Sequence, residues 1–453
     1  MFGRFVRFFW GDMSGDELKK FGILSATLMV ILGNYWMLRV MKNALFGRFV
    51  DFQLYQPYVK IFSLFVVIFV VMAYSKLVDL FEKDKLFYIL SGFFGCWILG
   101  LSYFIAYPHL VSISEASSFY PLVSWIPGKA LGWIIYVSFE SISIIIALFW
   151  AFVASTTKAE SAKRGYGMIV FFTQIATISG PAIVTNFSKT LGLPIIVAFG
   201  GVLLLCVSLL IKLYMMVVPH EEAAPSKPSA KKQKTGFFEG LRILLTKPYV
   251  MGIFVVSTFY EVIGTILEFQ MNSLGHIIYP IAEEFAAFNG KFGMSVNALA
   301  LVFALLGTSF FMRKFGLRFC LIAFPVAIGF IVTSIFVINS FGASHYHIMW
   351  ALFAGMVGIK GFNYALNNPT KEVMYIPTSK DVKFKAKGWI DTFGNRTTKA
   401  GGSSVNAVFA KSLEQLLVFG TVISLGIVGV WIMVAMLLGK KFEKLQEDKT
   451  IIE

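Results

Sequence analysis

Long apolar stretches, separated by short polar turns, run through almost the whole chain. Each is about twenty residues long, which is the length that a helix needs to cross the hydrocarbon core of a bilayer. Twelve such spans are predicted. They cover residues 21–45, 57–78, 86–107, 131–156, 166–188, 193–218, 248–273, 292–313, 317–340, 346–366, 387–411 and 415–439. The pattern therefore predicts an all-α membrane protein with about twelve transmembrane helices.

The composition supports this interpretation. Of the 453 residues, 57% are hydrophobic and only 14% are charged, whereas about a quarter are charged in soluble domains. Cys96, Cys206 and Cys320 are scattered within apolar spans, and their spacing is not typical of a metal site or a disulfide framework. The N-terminal segment has charges on both sides of a short apolar stretch, so no signal peptide is expected.

A polar stretch at 219–247 divides the chain into two predicted halves, 1–218 and 248–453, with six spans each. It contains HEEAAPSKPSAKKQKTG, whose Pro, Ser, Ala and Lys content is typical of a flexible, basic cytoplasmic linker. Two six-span halves indicate a major-facilitator-like transporter, a class that binds its substrate near the midplane of the membrane.

A weak internal repeat supports this division. The sequence TKAE ends the fourth span at 157–160, and TKE ends the tenth at 370–372. The next span of each half carries a pair of small residues, Ser179-Gly180 in one half and Gly401-Gly402 in the other. The common order of these matches favours a duplication over chance.

Lysine and arginine residues are concentrated in one set of loops, which predicts the orientation in the membrane. This set includes the N-terminal segment, the long middle loop and the C-terminal tail. Both chain ends are therefore expected in the cytoplasm. The loop bias accounts for much of the net charge of +15, so no nucleic-acid partner is expected. Any positive charge that this bias does not explain would attract anionic solutes toward the mouth of the pore.

Charged residues inside the predicted spans are the main indication of function. Each costs roughly 2.5–3.5 kcal/mol to insert, so such residues persist mainly where they line a polar path or a binding site. Cations outnumber carboxylates, which favours a substrate with several negative charges. With one neighbouring amide, the candidate substrate-binding residues are Arg39, Lys42, Glu140, Glu268, Lys360, Asn363, Asp391, Arg396 and Lys399.

Several candidates have alternative interpretations. Arg39 and Lys42 share a helical face near the end of the first span, so they could extend to the membrane surface instead of binding phosphate oxygens. Glu140 is too short to reach water from the middle of its span, and a structural ion pair with another helix is the main alternative there. In the seventh span Glu261 and Glu268 share a face, and Glu268 is preferred as the deeper residue.

Several classes of protein are excluded or disfavoured. The sequence contains no glycine-rich phosphate-binding loop of the ATPase type, so ATP hydrolysis is not the expected energy source. No nucleophile–base set is found, and we expect neither an enzyme nor a metal or other cofactor. A membrane enzyme that uses the central carboxylates and a non-transporting membrane sensor are the alternatives from other classes.

Two stretches of the second half resemble the bacterial and plastid ATP/ADP translocase family. They are NNPTKEVMYIP at 367–377 and KAKGWIDTFGNRTTKAGGS at 385–403. LRVMKNAL at 38–45 and TKAESAKRGYG at 157–167 are similar to the family more loosely. The resemblance implies a twelve-span, major-facilitator-like carrier that exchanges or imports nucleotides by alternating access, without a cofactor.

The resemblance also implies site residues. Charged residues that are essential in the family match Lys42, Glu140, Glu268 and Lys399. The sequence departs from the family at four candidate positions, where uncharged residues replace charged ones: Val40, Asn43, Asn363 and Asn368. The family also includes proton-driven nucleotide importers.

Together with this resemblance, the sequence predicts a monomeric ATP/ADP antiporter in the inner membrane of a bacterium that draws nucleotides from its host. Four cations would neutralise the phosphates: Arg39, Lys42, Arg396 and Lys399. Glu140, Glu268 and Asp391 would hold these cations or couple their pairing to the change between inward-facing and outward-facing states. The alternative is proton-linked import of a nucleotide or another phosphorylated metabolite.

Overall fold

The computed structural model of the protein describes residues 13–111, 124–218, 237–306 and 310–452. Within these ranges the chain is almost entirely helical. In this part of the chain, nine helices are long and apolar enough to cross a membrane. The prediction of an all-α, multi-pass membrane protein is confirmed, and the count of twelve spans stays a prediction.

The helices of the first half cover its six predicted spans. Their bounds are α1 Gly15–Phe49, α2 Phe52–Leu80, α3 Lys83–Ala106, α4 Ala130–Ser141, α5 Ile144–Thr156, α6 Ala159–Leu191 and α7 Leu193–Val217. A 3-10 turn, Pro108–Val111, follows α3. The fourth predicted span is thus divided between α4 and α5, and the break lies just after Glu140.

The second half is less regular. Its helices are α8 Phe237–Thr246, α9 Pro248–Ile278, α10 Ala282–Leu306, α11 Phe310–Ser340, α12 His345–Phe362, α13 Asn368–Met374, α14 Lys380–Trp389, α15 Asn395–Phe409 and α16 Leu413–Glu447. Two π-helical segments, Asn363–Asn367 and Ile390–Gly394, join α12 to α13 and α14 to α15. The backbone of α11 is non-helical at Gly316, where φ is 78°, one residue before the predicted start of the ninth span.

The predicted linker contains the helix α8, so its last part is ordered as a helix rather than as a flexible chain. Residues 219–236 of that linker lie outside the described residues. The division into 1–218 and 248–453 stays a prediction.

Local sequence explains where several helices begin and end. Ser14 and Glu17 form a capping box at the start of α1, in which each side chain accepts a hydrogen bond from the backbone N–H of the other. Ser379 and Ser412 accept backbone hydrogen bonds at the starts of α14 and α16. Gly192, with a φ of 79°, ends α6 and allows the sharp turn into α7.

The described chain forms two compact units. The first contains Met1–Phe52, Phe65–Ser229 and Tyr279–Asn297. The second contains Gln53–Leu64, Ala230–Ile278 and Ala298–Glu453. Each unit is described separately below.

Glycines of the predicted repeat lie at close helix contacts in both units. In the first unit, a Cβ atom at Gly180 of α6 would overlap the carbonyl oxygen of Gly33 in α1. In the second unit, a Cβ at Gly402 of α15 would lie 2.8 Å from the carbonyl oxygen of Val262 in α9. The first and fifth spans of each half therefore approach closely through a small residue, as is typical of membrane helices.

We expect Gly180→Ala to lower the thermal unfolding midpoint of the purified protein. The added methyl group has no room beside the backbone of α1, and overpacking typically costs about 1–3 kcal/mol. Gly22→Ala is the matched control, because a Cβ at Gly22 meets nothing within 4 Å and should leave the midpoint unchanged or raise it slightly. An equal midpoint for the two variants would contradict this account of the contact.

Candidate functional site

An ion pair joins α1 to α4 in the first unit. Lys42 Nζ donates a hydrogen bond to Glu140 Oε1, and the same ammonium lies 4.2 Å from the centroid of the Tyr136 ring. The Lys42 side chain is only 10% exposed and that of Glu140 is 34% exposed. Lys42 therefore points into the unit instead of extending to the membrane surface. Glu140 makes the interhelical ion pair that was the alternative to substrate contact.

Arg39 lies one turn before Lys42 on α1 and contacts aromatic side chains. Its Nη1 donates to the Tyr35 hydroxyl at 3.1 Å, and its guanidinium carbon lies 4.9 Å from the centroid of the Trp36 ring. Such cation–π contacts help to orient a guanidinium group. Arg39 is thus a second oriented cation on the same helix as Lys42.

The second unit contains two ion pairs that involve α9. Lys360 of α12 lies with its Nζ 2.8 Å from Glu268 Oε2, and the two side chains are 16% and 29% exposed. Lys399 of α15 lies with its Nζ 3.4 Å from Glu261 Oε2. The sequence favours Glu268 over Glu261, whereas in the structure each of the two glutamates is paired with a lysine. The two glutamates are seven residues apart, which places both on one face of α9. This spacing was the sign in the sequence that both could form ion pairs.

One ion pair of each unit, Lys42–Glu140 and Lys360–Glu268, occupies the same place in the predicted repeat, but with the charges exchanged. In the first unit, the first span supplies the lysine and the fourth span supplies the glutamate. In the second unit, the first span of that half supplies Glu268 and its fourth span supplies Lys360. Each pair is neutral as it stands. In each pair, an anionic ligand could replace the carboxylate as the partner of the lysine.

Two predicted residues lie in the π-helical segments. Asn363 opens the first segment, and its Oδ1 accepts from Asn367 Nδ2 at 2.8 Å. Asp391 lies in the second segment and lines a cavity of about 360 Å³. Arg396 lies on α15, three residues before Lys399. Because π-helical turns frequently occur at functional sites, the cavity beside Asp391 is part of the candidate site.

The wall of this cavity includes charged residues of the family motifs that are not among the predicted site residues. Both carboxylate oxygens of Glu372 accept from Lys387 Nζ at 2.6 Å. Lys371 lies between the tenth and eleventh predicted spans, and burial lowers the pKa of its ammonium group. Among the residues that the structure describes, Lys371 forms no ion pair. The motif NNPTKEVMYIP was the signal that could have identified this lysine.

The structure groups the predicted residues by unit. Arg39, Lys42 and Glu140 belong to the first unit. The second unit contains Glu268, Lys360, Asn363, Asp391, Arg396 and Lys399. Within the described ranges, no group of three or more His, Cys, Asp or Glu residues is placed to hold a metal ion.

The chain is similar in sequence to a protein family and to individual proteins that are already known. A family model described as TLC ATP/ADP transporter matches residues 1–442. ADP,ATP carrier protein 1 of Rickettsia prowazekii (strain Madrid E) is 26% identical over 436 residues, which cover 87% of this chain and 86% of that protein. ADP,ATP carrier protein 1 of Chlamydia muridarum (strain MoPn / Nigg) is 26% identical over an alignment of 498 residues, which covers 97% of this chain and 92% of that protein.

Solved transporter structures share the fold. A mutant of the nucleoside transporter NupG superposes with a TM-score of 0.63 at 13% identity and covers 94% of this chain and 100% of its own. A bacterial homologue of the iron transporter ferroportin, in an inward-facing state, has a TM-score of 0.63 at 14% identity and covers 94% and 99%. At these identities the likeness concerns the fold alone, and it confirms the major-facilitator-like architecture.

Proposed function

Because the chain belongs to the TLC ATP/ADP transporter family, we propose that it exchanges ATP for ADP by alternating access. The resemblance seen in the sequence motifs is thereby confirmed at the level of the family. The observation that carries the proposal is the lysine–glutamate pair in each unit, Lys42–Glu140 and Lys360–Glu268. Lysine ammonium groups bind phosphate oxygens well, and here each is presented with a carboxylate that compensates its charge in the empty carrier.

Competition between carboxylate and phosphate gives the proposed mechanism. In the empty carrier each glutamate neutralises its lysine, so no buried cation is left without a partner. A nucleotide phosphate takes the place of the carboxylate when it binds. The glutamate returns to its lysine when the nucleotide leaves, and this return assists release. The substrate shifts the carrier between its states only through such differences in contacts.

The remaining charged candidates would extend this arrangement. Arg39, Arg396 and Lys399 would supply further cations for a substrate with three or four negative charges. Glu261 would hold Lys399 as Glu140 holds Lys42. Asp391 and Asn363 would line the polar path beside the π-helical segments.

We also propose the setting in which the carrier works. It is a multi-pass protein of the lipid bilayer, and we place it in a bacterial inner membrane with both ends in the cytoplasm. The basic loops support this orientation. We expect a monomer that needs no cofactor, no metal and no nucleic-acid partner.

Uptake by intact bacterial cells that express the chain tests the proposal. We expect labelled ATP to enter these cells but not cells with an empty vector. Excess unlabelled ADP should compete for entry, and a non-nucleotide sugar phosphate should not. Absence of uptake despite normal membrane insertion would favour a non-transporting protein, and competition by the sugar phosphate would favour a carrier of another phosphorylated metabolite.

A further inference from the structure

A second cavity of the second unit lies beside α9 and α16 and is separate from the charged site. It has a volume of about 600 Å³. Apart from two lysines and Tyr249, whose hydroxyl already donates to Met374 O, the residues lining it are apolar. Residues from the two helices form its walls: Met251, Gly252 and Val255 of α9, and Val434, Leu437 and Leu438 of α16.

The cavity is open toward the surroundings of the protein. Gly252 allows α9 and α16 to approach, because a Cβ at that position would lie 2.8 Å from a methyl carbon of Leu438. Beyond this contact the Leu437 side chain is 62% exposed. Both helices are long and apolar enough to cross the membrane. An exposed apolar wall on such helices contacts lipid acyl chains, which are as apolar as leucine.

Two lysines give the cavity a positive charge. Lys247 lies immediately before α9, and Lys441 lies near the end of α16, beyond the apolar part of that helix. Among the residues that the structure describes, no acidic residue lines the cavity. Among the described residues neither lysine forms an ion pair. Lysines at the ends of membrane helices lie at the level of the phospholipid headgroups.

We propose that this cavity binds an anionic phospholipid. Its headgroup would contact Lys247 and Lys441, and one acyl chain would follow the wall formed by α9 and α16. Basic pockets between membrane helices bind anionic headgroups. The described lining carries two lysines and no carboxylate, so it offers no partner for the ammonium group of a zwitterionic lipid. Charge complementarity therefore favours anionic phospholipids over zwitterionic ones.

The C-terminal segment connects this lipid site to a family motif. Ile452 lines the cavity, and its backbone forms two hydrogen bonds of 2.9 Å, one with Pro377 O and one with Ser379 N. Residue 377 ends the NNPTKEVMYIP stretch. A bound lipid would thus stabilise the turn that joins the two motif stretches. Lipid binding at this cavity does not depend on which nucleotide is carried.

Lipid-dependent thermal unfolding of the purified protein in detergent tests this site. We expect dioleoylphosphatidylglycerol to raise the unfolding midpoint and dioleoylphosphatidylcholine to leave it unchanged. In the double variant Lys247→Gln/Lys441→Gln, the concentration of phosphatidylglycerol that gives half of the rise should increase about 25-fold, because each lysine near the surface contributes roughly 5-fold to anionic lipid binding.

The matched control is Lys440→Gln/Lys444→Gln, which removes the same charge from α16 outside the cavity and should keep the wild-type response. An equal loss in this control, or an equal rise with phosphatidylcholine, would overturn the proposal by showing a general effect of charge or of lipid. Soluble glycerol 3-phosphate should give no rise. If glycerol 3-phosphate raised the unfolding midpoint and phosphatidylglycerol did not, the lysines would be binding a soluble phosphate compound, and this result would also overturn the proposal.

Discussion

Replacing Lys42 with alanine is expected to abolish nucleotide exchange while the protein still inserts into the membrane. The change removes the cation that we propose to bind phosphate, and it takes Lys42 away from the Glu140 carboxylate in the first unit. A hydrogen bond to a charged group contributes up to about 3 kcal/mol, so losing the contact between Lys42 and phosphate is expected to lower the uptake rate by up to about 100-fold. The measurement is the initial rate of labelled ATP uptake by proteoliposomes that contain equal amounts of each variant.

Arg48→Ala is the matched control for this experiment. Arg48 lies on the same helix but is exposed to the surroundings, so its loss should leave the rate near that of the wild type. Lys399→Ala in the second unit should behave like Lys42→Ala, since Lys399 is paired with Glu261. Rates close to wild type in both lysine variants would show that these lysines do not bind phosphate.

Replacing Glu140 or Glu268 with glutamine is expected to slow turnover without weakening substrate binding. In each case the change removes the carboxylate that we propose to compete with phosphate for a lysine. Affinity for ATP should stay level or rise, and exchange should fall about tenfold or more, because a hydrogen bond to a charged group contributes roughly 1.5–3 kcal/mol. Binding and exchange are measured on the same vesicles.

Glu443→Gln provides the control for these two variants. Glu443 forms a 3.7 Å pair with Arg318 on the protein surface, where both side chains are about half exposed, and such pairs contribute little. This variant should bind and exchange like the wild type. A loss of binding in Glu140→Gln or Glu268→Gln, with the remaining turnover unchanged, would mean that the glutamates contact the substrate or only maintain structure.

The sequence was sufficient to predict the fold class and the charged residues of two ion pairs, Lys42–Glu140 and Lys360–Glu268, but Glu261 of the third pair was passed over. Isolated charges such as Lys42 and Glu140 stand out within apolar spans, because insertion into a membrane is costly for each of them. The identity of the partners could not be predicted. Lys42 and Glu140 are 98 residues apart, and Lys360 and Glu268 are 92 apart. Their contact depends on how each helix is rotated within its unit, which a single sequence does not determine.

Two local features of the fold could not be predicted from the sequence either. The helix α8 lies in a stretch whose composition predicts a flexible linker, and it is held by tertiary contacts. Glu239 Oε1 lies 2.5 Å from Lys385 Nζ, and Gly240 packs against Trp389. The π-helical segments leave no trace in composition either, since each differs from an α-helix only in its hydrogen-bond register. Family motifs at 367–377 and 385–403 marked the region, but not its backbone geometry.

Counterflow in proteoliposomes tests the central claim most directly. Vesicles are loaded with labelled ADP, and its release is followed after ATP is added outside. We predict that label leaves only when external ATP or ADP is present, that one ADP leaves for each ATP that enters, and that a protonophore has no effect. Uptake of ATP into vesicles without internal nucleotide, stopped by the protonophore, would contradict exchange and would identify a proton-linked importer.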